Sequence, residues 1–124
     1  MGAMYSEQVL DHFEHPRNSG SIDDPDASVQ LQNPACGDVL RLSLKLAGGR
    51  IQEIRFLAKG CVPSIACASA LTELVREQTV ASARQITAQQ LIGAVGGLPP
   101  ASSHASHLAI DTLRAALDQI AGKR

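Results

Sequence analysis

Aromatic side chains are nearly missing from this chain: it has no tryptophan, one tyrosine (Tyr5) and two phenylalanines (Phe13 and Phe56), 2% of 124 residues. Three scattered rings are too few for a surface that stacks successive nucleobases. An excess of charge of either sign is missing as well. Eleven Lys and Arg stand against twelve Asp and Glu for a net charge of -1, and the basic residues are spread from Arg17 to Arg124 instead of gathered in a stripe. Neutralising a phosphate backbone takes clustered cations, so nucleic acid is excluded as the main partner. No stretch approaches the roughly 18 uncharged apolar residues of a bilayer span. Nor does the N-terminus carry a basic region followed by an apolar one, and a cytoplasmic protein without a membrane partner is expected. Cysteine is scarce and odd in number: Cys36, Cys61 and Cys67. They make no CxxC pair and no closed disulfide framework, so they are read as reduced thiols.

What is present is an ordinary globular composition, 44% apolar and 19% charged, of a size that supports one domain with its own core. That domain is expected over residues 4–122, with Met1-Gly2-Ala3 read as an expression scar ahead of Met4. Val9, Leu10 and Phe13 form a narrow apolar stripe on a short helix over Tyr5–Glu14, which Pro16 stops. Alternation with period two marks strands at Val29–Asn33 and Leu40–Leu46, and again where Ile54, Phe56 and Ala58 oppose Glu53, Arg55 and Lys59. Gly48-Gly49 supplies the tight hairpin turn between the last two. A helix over Pro63–Glu77 should pack Ile65, Ala68, Leu71, Thr72 and Val75 on the sheet. Thr87 and Gln90 have the spacing of a capping box, Leu98-Pro99-Pro100 reads as an extended connector, and Ser103 as the cap of a last helix with Ile110, Leu113, Leu117 and Ile120 inward. The fold class is therefore α+β: an N-terminal helix, a three-stranded antiparallel sheet, and C-terminal helices on one face of it.

Two thiols are carried to one tip of that sheet. Cys36 lies in the loop before the second strand and Cys61 at the exit of the third, and antiparallel pairing brings these ends together. Cys61 also precedes a helix N-terminus, which favours an anion. Asp38 adds a hard oxygen beside the sulfurs, a set that suits a metal ion or an iron-sulfur unit. Two small residues in tight loops would look the same by spacing alone. His104 and His107 stand three apart at the entry of the last helix. His107 lines up with Asp111, Arg114 and Asp118 and reads as a surface residue, while His104 is either a ligand or a helix-start residue without a task. Cys67, one turn before Leu71, reads as a buried structural thiol. No nucleophile elbow and no phosphate loop occurs.

The same residues carry a resemblance to the IscU/NifU-type scaffold proteins of iron-sulfur cluster assembly. Met4-Tyr5-Ser6 through His15-Pro16-Arg17-Asn18 is similar to the family's opening helix and its Asn-Pro-Arg-Asn turn. Pro34-Ala35-Cys36-Gly37-Asp38 matches the block of the first cluster cysteine, and Lys59-Gly60-Cys61 with Ser64-Ile65-Ala66 that of the second, apart from Val62-Pro63. Leu98-Pro99-Pro100 and His104-Ala105-Ser106 match the third, with Ala105 where the family has a cysteine. The interval from Cys61 to Ala105 has no room for the insertion of zinc-dependent SufU-type relatives.

The resemblance implies a non-enzymatic scaffold or carrier that holds iron or a transient [2Fe-2S] cluster on Cys36, Asp38, Cys61 and His104. It implies a cysteine desulfurase, acceptor apo-proteins and an Hsp70-type chaperone as partners, although Ala101-Ser102-Ser103 lacks the lysine of the family's chaperone-binding segment. With no thiol at Ala105 the family's sulfur-acceptor step is altered, and acceptance on Cys67 ranks below a core role for that residue. The alternative is a zinc-binding paralogue that docks on assembly partners without building clusters.

Overall fold

The computed structural model describes residues 4–34 and 37–122. Its centre is a three-stranded antiparallel sheet in the order β1 (Ala27–Gln32), β2 (Val39–Ala47), β3 (Arg50–Lys59). Gly48 and Gly49 both have positive φ, 59° and 77°, which a two-residue turn needs if its twist is to match that of the strands. Register then decides the faces. Leu40 pairs with Ala58, Leu42 with Phe56 and Leu44 with Ile54, all pointing to the core, while Arg41 with Leu57 and Lys45 with Glu53 make the outer face. A register shift between Lys45 and Leu46 turns Ile51 inward as well, three residues from Ile54. The last pair toward the opposite end is Val39 with Lys59.

Helix α2 (Val62–Val75) lies on β3 between α1 (Glu7–Glu14) and the long α5 (His104–Gly122). Its neighbours on several sides explain its composition: Ala66, Cys67, Ala68, Ser69, Ala70, Leu71 and Thr72 are all buried, so it is not the one-faced helix the periodicity suggests. Pro63 falls in the first turn as expected. On α5, Ile110, Leu113, Leu117 and Ile120 form the inward stripe.

Three local readings are corrected. In α1 the inward residues are Val9 and His12, while Leu10 and Phe13 are 37% and 38% exposed. The helix meets a polar stretch of α2, where the imidazole finds partners and a phenyl ring would not: His12 Nδ1 lies 2.8 Å from Ser69 Oγ, and its Nε2 3.5 Å from Glu73 Oε1. A short helix α3 (Val80–Arg84), capped by Thr79, stands between α2 and α4 (Ala88–Ala94) where none was read; the expected capping box of Thr87 and Gln90 does open α4. Finally, Leu98-Pro99 is a connector, but Pro100 begins a 3-10 turn (Pro100–Ser102) that runs on into α5. Ser103 is already in the helical region, with φ -61° and ψ -26°, and is not the extended cap that its residue type suggests.

The segment after Pro16 is tied down. Arg17 N–H donates to Ser69 Oγ (2.9 Å), Asn18 Nδ2 to Thr72 Oγ1 (3.1 Å), and Gly20 N–H to the Phe56 carbonyl (2.8 Å), so it covers the outer edge of β3. No helix among the described residues is long and apolar enough to cross a membrane.

Candidate metal centre

The pairing of Val39 with Lys59 sets Asp38 beside the Gly60-Cys61 exit of β3, the convergence that the strand pattern implies. Asp38 is buried at 5% exposure. Its Oδ1 accepts the Cys61 N–H at 3.3 Å, and its Oδ2 accepts the Ser64 hydroxyl at 2.5 Å and the Cys61 thiol at 3.1 Å. Gly60 makes this approach possible. A Cβ there would stand 2.6 Å from Asp38 Cγ and 2.9 Å from its Cβ, closer than any side chain tolerates.

Cys61 is the N-cap of α2 with extended backbone, φ -77° and ψ 166°, and its side chain makes no capping bond. The thiol is left at the protein surface, next to the carboxylate. His104 enters from the first residue of α5. Its Nδ1 lies 3.1 Å from the Ala101 carbonyl oxygen, which can only accept, so that nitrogen carries the ring hydrogen. Nε2 then presents a lone pair. It is buried, has no hydrogen-bond partner among the described residues, and points to Asp38 Oδ2 at 3.8 Å.

One donor atom from each of Asp38, Cys61 and His104 therefore lies within 4.8 Å of the other two. The Cys61 S–H and the Ser64 O–H satisfy the carboxylate, while the imidazole lone pair faces Asp38 Oδ2 with no hydrogen between them; a cation that displaced the thiol proton would satisfy all three donors. The second ring nitrogen of His104 is bound to a backbone carbonyl, as it usually is in metal-ligating histidines. The donor set mixes soft sulfur with borderline nitrogen and hard oxygen and suits iron or zinc.

Of the four residues singled out from sequence, three meet here; Cys36 lies outside the described residues. His107 is exposed on α5, where with Leu31, Pro34, His104, Leu108 and Asp111 it lines a groove of about 320 Å³. Cys67 is fully buried, and burial, with a smaller contribution from Cys61, pushes its thiol up to about 12. That environment is the one expected of a buried structural thiol. Ala105 is buried too, at 1% exposure, and contributes only a methyl group. Sequence reasoning missed Ser64 and Gly60 as parts of the site. Their signal was positional: Gly60 precedes the N-cap of α2 and Ser64 stands three residues after it, where a side chain can reach back to the N-cap.

A family model described as NifU-like N terminal domain matches residues 4–124. The chain belongs to this family. Among its relatives, Iron-sulfur cluster assembly scaffold protein IscU 1 of Archaeoglobus fulgidus is 42% identical over 114 residues, covering 92% of this chain and 74% of the relative. Iron-sulfur cluster assembly scaffold protein IscU of Escherichia coli is 40% identical over 124 residues, covering 97% and 96%. The same fold is that of a crystal structure from Fervidobacterium islandicum described as "Putative iron-sulfur cluster assembly scaffold protein for SUF system", with a TM-score of 0.80 over 92% of this chain and 96% of that one, at 22% identity. The α+β reading and the family resemblance both hold.

Proposed function

We propose that this NifU-like chain is an iron-sulfur cluster assembly scaffold that binds iron or a [2Fe-2S] cluster as cargo and passes it on. One observation carries the reading: the meeting of Asp38, Cys61 and His104 donor atoms within 4.8 Å at one tip of the sheet. Cys36, two residues before Asp38 in the chain, supplies the second thiolate in this reading, and mixed sulfur and nitrogen ligation of [2Fe-2S] is chemically sound. Cys61 at the protein surface keeps the cargo accessible to the proteins that deliver and receive it. A cysteine desulfurase supplies the sulfur, acceptor apo-proteins take the product, and the work is done in the cytoplasm. The Leu98-Pro99-Pro100 segment, next to the 3-10 turn before His104, is the place for an Hsp70-type chaperone. The cargo is held and released and no substrate is turned over. The names of the relatives weigh for cluster assembly and against the zinc-binding alternative.

Anaerobic incubation with ferrous iron and sulfide tests this. Sulfur-to-iron charge-transfer absorbance should develop in the unaltered protein and be lost in Cys61→Ala and in Cys36→Ala. Absence of the bands from the unaltered protein, with zinc bound one to one and resistant to iron, would overturn the proposal in favour of the zinc-binding alternative.

A further inference from the structure

The N-terminal turn of α2 is closed in an unusual way. In an ordinary capping box the side chain three residues after the N-cap reaches back to the N-cap N–H. Here that position is Ser64 and the N-cap is Cys61, but Ser64 donates to Asp38 Oδ2 and Asp38 Oδ1 accepts the Cys61 N–H. A carboxylate from the neighbouring strand entry is inserted into the box. Both of its oxygens are thereby oriented by the first turn of α2, and Oδ2, the one facing His104 Nε2, is held against the Cys61 sulfur. Ser64 Oγ is itself 3.3 Å from Cys61 Sγ, so it touches two of the three donor residues. It is 6% exposed, with little freedom to leave.

We infer that Ser64 is a positioning residue of the metal centre: its hydroxyl fixes the Asp38 carboxylate in the ligating orientation and serves Cys61 Sγ as a hydrogen-bond donor once a metal ion has taken Oδ2. The inference rests on the reading of this site as a metal centre. In the metal-free state Oδ2 accepts two hydrogens, from Ser64 Oγ and from Cys61 Sγ. Metal binding displaces the thiol proton to solvent and occupies the oxygen. The Ser64 O–H is then shared between Oδ2, whose charge the metal draws off, and the thiolate sulfur, 3.3 Å from Ser64 Oγ and reached by rotation about one bond. A donor to the sulfur draws electron density from it and tunes the metal-sulfur bond, as outer partners commonly do.

Co(II) titrations of the full chain, in competition with a chromophoric chelator and under argon, test it. Ser64→Ala should weaken Co(II) binding about tenfold, the lower end of the usual effect of such partners, and move the sulfur-to-cobalt charge-transfer band to lower energy. Ser64→Thr, which keeps the hydroxyl, should restore both. In an Asp38→Asn background, Ser64→Ala should lose most of its effect on affinity while the band still moves. A purely structural serine would instead change the thermal midpoint and leave band energy and affinity where they were, and that result in a folded Ser64→Ala protein overturns the inference. Unaltered protein that binds no Co(II) overturns the metal-centre reading beneath it. If Ser64→Thr does not fold, the Asp38→Asn cycle decides alone, since full additivity of the two substitutions contradicts action through the carboxylate.

Discussion

Val39 pairs with Lys59 in the sheet, and this one register position makes neighbours of Asp38 and Cys61, 23 residues apart in the chain. A hairpin turn of two glycines and the register shift between Lys45 and Leu46 together set that register, so the geometry of the site is fixed by the backbone before any side chain at the site contributes. A one-residue slip would send Asp38 to the other side of the tip.

Gly60→Ala tests that dependence. The added methyl would overlap the Asp38 side chain, whose Cγ is 2.6 Å from the Cβ position. Either the loop shifts or Asp38 leaves, and the expected cost is about 1–3 kcal/mol in urea unfolding, together with weaker Co(II) binding than the unaltered protein shows. Unchanged values of both would mean that the approach of the two loops is not needed.

Burial holds the His12 imidazole below its ordinary 6.5, with the Arg17 charge acting in the same direction against the weaker pull of Glu73 and Asp11. The unfolded chain therefore binds the proton more readily than the folded one, and stability must fall as pH drops below about 6.5 through the folded-state value. In His12→Gln this part of the pH dependence should be absent. Urea midpoints at pH 7.5 and 5.5 measure it, well above the range where Asp11, held low by Arg17, begins to titrate.

Cys67 should resist alkylation in the folded protein and react only on unfolding, since its thiol is buried and pushed up to about 12. Cys61 should react readily. Peptide mapping after iodoacetamide treatment distinguishes them. Cys67→Ala should cost about 1–2 kcal/mol of stability as a small cavity in the core and leave metal-sulfur absorbance intact; loss of that absorbance would make Cys67 a ligand.

Chelation should strip bound metal without unfolding the chain, because the contacts of Leu42, Leu44, Ile54, Leu71, Leu113 and Leu117 are independent of the tip. Far-ultraviolet circular dichroism should stay unchanged. The unfolding free energy from urea titration should fall only by the linkage contribution, about 2.7 kcal/mol where free metal had stood at 100 times its dissociation constant.

Much of this was legible in the amino-acid order. Strict alternation at Leu40, Leu42 and Leu44 and the Gly48-Gly49 pair are enough to draw the meander, and from it the meeting of Asp38 with Cys61 follows. The orientation of α1 was not legible, because Val9, Leu10 and Phe13 outweigh His12 in any hydrophobic count, and the partners that make burial of the imidazole favourable, Ser69 and Glu73, lie 57 and 61 residues away on α2. Helix α3 escaped notice since five residues hold too little periodicity to register. Ser64 escaped for a different reason: its position three residues after Cys61 points only to the N-cap of its own helix, and the Asp38 carboxylate inserted between the two, 26 residues from Ser64, leaves no mark in local spacing.

X-ray absorption at the iron edge of anaerobically loaded protein reads the donor atoms of the bound iron. Binding at the tip of the sheet should give sulfur together with lighter nitrogen or oxygen scatterers, with sulfur removed in Cys61→Ala and the imidazole multiple-scattering features removed in His104→Ala. An iron shell of light atoms alone, the same in the unaltered protein and in both variants, would contradict it.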